Sequence, residues 1–187
     1  LMHAQNRDIF KKFKACRAYE TAFKLKEEGK IRHVGLSFHD SAEVLEEILT
    51  AYPQVEAVQL QLNYADWEDP AVQSHKCYDV CRKHGKPVIV MEPVKGGTLV
   101  NLPSDAKEVL DALNGGSYAS YAIRFAAGFD GIFMVLSGMS NTEQKNDNLS
   151  FMKDFKPLNA DERKAVEKVC EIIHSKHLIP CTACRYC

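Results

Sequence analysis

Each of several absences in this 187-residue chain removes a class of function. Neither sign of charge predominates: 24 Lys and Arg stand against 25 Asp and Glu, so the formal net charge is −1 and the isoelectric point about 6.7. A face built to grip a nucleic-acid backbone needs surplus positive charge, so no nucleic-acid partner is expected. Long apolar runs are also absent. The strongest, Pro87 to Met91 and Ile132 to Leu136, fall far short of the roughly 20 residues that cross a bilayer, and no membrane partner is expected. The sequence does not open with a basic stretch followed by an apolar one, the mark of a secretory signal, so a cytoplasmic setting is expected. The seven cysteines are then expected to be reduced, and their odd number argues against a closed disulfide framework. Finally, Gly-x-Gly-x-x-Gly follows none of the strand-like segments, which removes the main mark of an open dinucleotide-binding sheet.

What the chain does contain is alternation. Apolar segments of strand length at 34–38, 57–64, 87–93 and 132–138 are separated by segments of helical spacing. Asp40 with Glu43 reads as a capping box for a helix over 41–51, whose Val44, Leu45, Ile48 and Leu49 share one face. Pro70 and Gly85 frame a helix of about 70–84. Asn141 with Gln144, and Asn159 with Glu162, announce helices over 141–154 and 159–176, while 15–29 and 117–128 read as helices on period alone. Such alternation implies a parallel sheet joined by right-handed crossovers, with strands apolar on both faces.

The expected fold class is therefore α/β, and the missing glycine fingerprint favours a (β/α)8 TIM barrel over an open doubly wound sheet. A whole barrel takes typically about 250 residues. Only four strand–helix units and a preceding strand end can be counted here. The chain is accordingly expected to be the C-terminal part of a longer protein. Residues 1–158 would run from the end of barrel strand 4 to strand 8, and residues 159–187 would hold a C-terminal helix and the start of a cysteine segment. Such a part exposes open sheet edges. In a barrel the ligand lies at the C-terminal ends of the strands, and Gly138-Met-Ser-Asn141 leads from the last strand into a capped helix, so an anion site is expected there.

Cys181-x-x-Cys184-x-x-Cys187 is the densest chemical signal. The spacing matches the bacterial ferredoxin run, in which short turns let thiolates converge on a 4Fe–4S cluster, and a fourth ligand would lie just past Cys187. A zinc site drawing on His174 or His177 is the competing metal reading, followed by unmetallated thiols. Cys16, Cys77, Cys81 and Cys170 read as ordinary helix residues; Cys77 and Cys81, four apart, fit either packing or a metal pair.

Taken in order, Leu1-Met-His-Ala4, Gly29-Lys-Ile-Arg-His-Val-Gly-Leu-Ser-Phe-His39, Gln59-Leu-Gln-Leu-Asn-Tyr64, Met91-Glu-Pro-Val-Lys-Gly-Gly97, Leu136-Ser-Gly-Met-Ser-Asn141 through Asn148 and the cysteine triplet resemble the aldo-keto reductase family, in particular its microbial branch with a ferredoxin-like C-terminal segment. The resemblance implies an oxidoreductase that moves hydride between NADP or NAD and a small-molecule carbonyl substrate. A redox partner would be reached through the cluster. His3 matches the family's catalytic histidine at the end of the fourth strand, whereas the tyrosine, lysine and aspartate of the first three strand ends have no counterpart here. A piece with that composition is expected to be inactive alone. By the same resemblance Ser37 and Gln59 would hold the nicotinamide carboxamide, and Met91 would lie against the ring. Gly96 would admit the pyrophosphate, and Gly138, Ser140, Gln144 and Asn148 would surround the adenosine phosphate and adenine. Cys181, Cys184 and Cys187 would bind the cluster.

The chain departs from many members at three places. Phe38-His39 replaces an Asn after Ser37, Met91 replaces an aromatic ring, and neutral groups near Ser140 replace an Arg that would clamp a 2′-phosphate, which leaves NADP against NAD open. Lys145 would either substitute as a point charge or remain solvated. Glu92 and Lys95 fall at a strand end where a substrate contact and a mutual surface ion pair both fit. A non-catalytic nucleotide-binding barrel and a simple electron carrier are the alternative functions.

Overall fold

The structure is a computed structural model that describes residues 1–176. Its five strands are β1 (Met2–Gln5), β2 (Gly35–Phe38), β3 (Ala57–Gln61), β4 (Val88–Met91) and β5 (Ile132–Val135). They lie side by side in the order of the chain, and β1 to β4 pair in parallel. A doubly wound sheet reverses its order at a switch point, whereas a singly wound barrel adds each strand next to its predecessor. The observed order is of the second kind. It also comes with a fixed register: Ser37 is opposite Gln59, and Gln59 opposite Ile89.

The chain divides into two compact units. The first contains residues 1–61, 66–91 and 131–134, and so the body of the sheet. Its helices are α1 (Arg7–Ala15), α2 (Ala18–Glu27), α3 (Ala42–Ala51) and α4 (Ser74–Lys83). Leu36, Phe38, Val58, Leu60, Val88 and Val90 are buried, together with Val44, Leu45, Ile48 and Leu49 of α3 and Cys77 and Cys81 of α4. The expectation that the strands are apolar on both faces does not hold, because β3 alternates and presents Gln59 and Gln61 on the other face. Gly35 is required at the start of β2: a Cβ there would come within 2.8 Å of the Ala57 carbonyl oxygen. Tyr19 of α2 stacks on Tyr52 with ring centroids 4.1 Å apart, and its hydroxyl donates to Gln5 Oε1 at 2.7 Å, fastening β1.

Helix limits differ from the pattern-based expectation in instructive ways. Residues 7–15 form an additional helix because Asn6 accepts from the amides of Asp8 and Ile9, and the helix expected over 15–29 is α2, which starts only at Ala18 after Arg17 in the left-handed region. Asp40 is not the cap of α3; Ser41 occupies that position, and the Asp40 carboxylate accepts the backbone amides of Arg7 and Ser41 instead. The helix expected from Pro70 begins only at Ser74. Asp69 accepts from the amides of Ala71 and Val72, which holds that stretch as a turn. Burial pushes the Cys77 thiol up to about 12 and the Cys81 thiol up as well, so both act as small apolar side chains.

The second unit contains residues 62–65, 92–130 and the chain from Val135 on. Its described helices are α5 (Ser104–Asp111), α6 (Tyr118–Ala127), α7 (Thr142–Met152) and α8 (Ala160–Ser175). Tyr64, Leu99, Leu102, Leu110, Tyr121, Leu158, Val166, Val169 and Ile173 form its core. Asn159 and Glu162 make the expected capping box on α8. Glu162 has a second duty, since both its oxygens lie 2.8 Å from the guanidinium of Arg124 on α6, with only 11% and 9% of the Arg124 and Glu162 side chains exposed. Burial pushes the Glu162 carboxyl up, but the hydrogen bonds and charge of Arg124, with the Asn159 amide, outweigh it and hold it below the ordinary range. Removing one partner of a buried pair strands the other charge, which costs roughly 3–5 kcal/mol. Arg124→Met should lower the unfolding free energy in urea by about that amount, and adding Glu162→Met should restore most of it. A loss well under ~1 kcal/mol for the single variant would show that the pair does not fasten α8 to α6.

Candidate functional site at the strand ends

In the first unit the shared register places His3, Ser37, Gln59 and Met91 near one another on the polar face of the sheet. Ser37 is buried, His3 exposed, and Gln59 and Met91 half-buried. Ser37 Oγ accepts the Ala4 amide at 2.8 Å and lies 3.4 Å from His3 Nδ1. Gln59 Nε2 donates to the thioether sulfur of Met91 at 3.2 Å. A thioether is a weak acceptor, so most of the hydrogen-bonding capacity of the Gln59 amide is unspent. Such a side chain suits a ligand amide.

The backbone leaves its easy regions in both units, at Ala4 in the first and at Glu92 and Lys95 in the second. Ala4, Glu92 and Lys95 have φ of 50°, 57° and 50°, values that non-glycine residues rarely adopt and that tend to persist where surrounding structure enforces them. His39, which the sequence marks only as a departure from the family pattern after Ser37, follows β2, and its amide donates to the Gln5 carbonyl at 2.9 Å. Its position two residues past Ser37 was the only available signal. Although His39 is exposed as a whole, partial desolvation of its ring, with the charge of protonated His3 as the second cause, holds the imidazole below its ordinary 6.5. On the helix side of the same strands a cavity of about 150 Å³ is lined by His39, Asp40, Gln61, Ser74 and Cys77.

The second unit holds the other sequence-predicted residues. Gly96 lies in a 3₁₀ turn over Lys95–Gly97 with φ 58°, and its amide donates to Glu92 Oε2 at 2.7 Å. Asn141 caps α7 by accepting the Gln144 amide at 2.8 Å, and Gln144 Oε1 accepts the Ser140 amide at 2.7 Å. Asn148 Nδ2 donates to Ser137 Oγ at 2.9 Å. Thus Ser140, Gln144 and the start of α7 are brought together, and Asn148 lies one turn further along. A Cβ at Gly138 would meet nothing within 4 Å, so the turn leaves open space before the helix. Lys95 is buried rather than solvent-exposed. Cys181, Cys184 and Cys187 lie outside the described residues, as does His177. Among the described residues no three His, Cys, Asp or Glu side chains are grouped to hold a metal ion, and His174 instead places Nε2 3.1 Å from the Ala65 carbonyl. No described helix is long and apolar enough to cross a membrane.

Consecutive parallel strands with polar side chains at their C-terminal ends define a scaffold of the (β/α) barrel type. The chain belongs to the aldo/keto reductase family, whose sequence profile matches residues 5–171. No curated protein matches it. Among solved structures, an aldo-keto reductase from Bacillus halodurans in its apo form matches with a TM-score of 0.67 at 21% identity, over 89% of this chain and 59% of that one. Its holo form gives 0.67 and 22%, over 89% and 56%. An aldo-keto reductase from Klebsiella pneumoniae in complex with NADPH gives 0.61 and 19%, over 80% and 52%. The chain therefore spans between half and three fifths of the length of these proteins.

Linkage gives the site a pH signature. A His with a lowered folded pKa stays neutral while the unfolded chain takes up a proton, so stability is full above about pH 6.5 and falls as pH drops below it. His39→Gln should flatten the fall in urea midpoint between about pH 7 and about pH 5, and equal slopes for both proteins would contradict this.

Proposed function

We propose that the chain supplies the cofactor-facing side of an NAD(P)H-dependent carbonyl reductase. The observation that carries this reading is the juxtaposition of Ser37, Gln59 and His3 at the strand ends, with an amide side chain whose partner is only a sulfur. Gln59 and Ser37 would hold the nicotinamide carboxamide, Met91 would lie against the ring, and Gly96 would face the pyrophosphate. Gly138, Ser140, Gln144 and Asn148, at the positive end of the α7 dipole, would receive the adenosine phosphate and adenine. The NADPH complex of the Klebsiella pneumoniae protein supports the cofactor class. A nicotinamide held there would supply the hydride that a carbonyl carbon accepts. His3, with Nδ1 turned to Ser37, would donate from Nε2 to the carbonyl oxygen and orient it.

Two parts of the reading reach further. The sheet of five consecutive strands is the latter part of an eight-stranded barrel, supported by the half-exposed apolar strand β5, where Phe133 is 68% and Met134 46% exposed. The residues that donate the proton would come from the remaining strands. The Cys181-x-x-Cys184-x-x-Cys187 spacing supports a 4Fe–4S cluster that exchanges electrons with a redox partner.

NADPH and NADH titrations followed by fluorescence test the proposal. Gln59→Leu should weaken binding roughly 3- to 10-fold, the worth of one net hydrogen bond, and His3→Ala should leave affinity nearly unchanged. Binding without carbonyl reduction by the whole protein would favour a non-catalytic nucleotide-binding role. No binding of either nucleotide would overturn the reading.

A further inference from the structure

Gly96 differs from its neighbours in what its amide holds. From Lys95 to Leu99 the other amides donate to main-chain carbonyls: Lys95 to Glu92, Gly97 to Val94, Thr98 to Lys95 and Leu99 to Val94, all at 3.0–3.2 Å. Gly96 alone donates to a carboxylate, Glu92 Oε2, at 2.7 Å. One amide of the turn is therefore occupied by an anion, the carboxylate of the residue four positions upstream. Glu92 is not there by accident of a loose side chain. Its backbone is held at φ 57° while its carbonyl accepts from Nδ2 of the fully buried Asn63 at 3.0 Å, and Asn63 Oδ1 is tied in turn to the Ala65 amide.

We propose that Glu92 sets the affinity for the dinucleotide by competing with its pyrophosphate for the Gly96 amide. The inference rests on the nicotinamide reading above and assigns to this residue a role opposite to that of a ligand clamp. A pyrophosphate that reaches Gly96 must displace the carboxylate from its amide, and a retained negative charge nearby then repels the incoming anion. Dinucleotide binding is thus weaker, and release faster, than the rest of the site would give.

Two neutral replacements test this. Glu92→Gln keeps the shape and an acceptor oxygen for Gly96, and Glu92→Asn is at ease in the left-handed region, so at least one is expected to fold normally by circular dichroism. Calorimetric titration with NADPH and NADH should show binding about 3- to 10-fold tighter than wild type at low salt for whichever nucleotide the wild type prefers. The gain should shrink as salt approaches ~1 M, because it is electrostatic in origin. A purely structural role for Glu92 predicts the reverse, weaker binding with no salt-dependent gain. Unchanged or weaker binding by both folded variants would overturn the proposal while leaving the nucleotide reading intact. Failure of wild type and variants alike to bind either nucleotide would remove both.

Discussion

Ser37, Gln59 and Ile89 stand abreast because three parallel strands keep a single register, and that register is enforced from the other side of the sheet. Shifting a strand by one residue would carry Leu36 and Phe38, or Val58 and Leu60, out of the helix-covered layer and drive polar groups into it. Each of those side chains is worth roughly 1.5–3 kcal/mol when fully buried, so a slip forfeits several kcal/mol at once. The polar face therefore inherits its geometry from the apolar one. His3, Ser37, Gln59 and Met91 need no attraction for one another to be neighbours; the packing of α3 and α4 behind them has already fixed their positions.

The second unit achieves the same end by different means. Its α7 buries no residue and holds its N-terminus in shape through the Asn141, Ser140 and Gln144 hydrogen bonds. By contrast α8 is fastened by the Arg124–Glu162 pair and an apolar stripe. Two amides at this end, those of Ser140 and Gln144, are held by side-chain oxygens, so the turn into the helix keeps its shape without burial. The strained residues Glu92 and Lys95 belong to this unit as well, and the buried Asn63 enforces the first of them.

Strand positions were legible because apolar runs of strand length bounded by turn signals survive into the fold at 35–38, 57–61, 88–91 and 132–135. The caps at Asn141 and Asn159 were equally plain, since a cap is a local bond that depends on three residues. Other features were not readable. Asp40 resembled a cap, but its carboxylate is drawn to the Arg7 amide, 33 residues away, and Ser41 takes the capping position. Residues 70–73 looked helical from Pro70, yet Asp69 captures the following amides first. The candidate ligand-facing residues came from family resemblance; their register came only from the structure. The setting of His39 and the Glu92 contact escaped the sequence because one depends on pairing with Gln5, distant in the chain, and the other on a left-handed backbone at Glu92, neither of which composition records.

The central claim is that the polar row on the sheet face meets the nicotinamide. The chain has five methionines, Met2, Met91, Met134, Met139 and Met152, and carbon-13 labelling of their methyl groups gives each a separate signal for titration with NADPH. The account predicts that the Met91 methyl shifts strongly with the ring current of the nicotinamide, and that the shift is lost in Gln59→Leu at the same NADPH concentration. Saturable binding that leaves Met91 unmoved while perturbing only methyls elsewhere would contradict it.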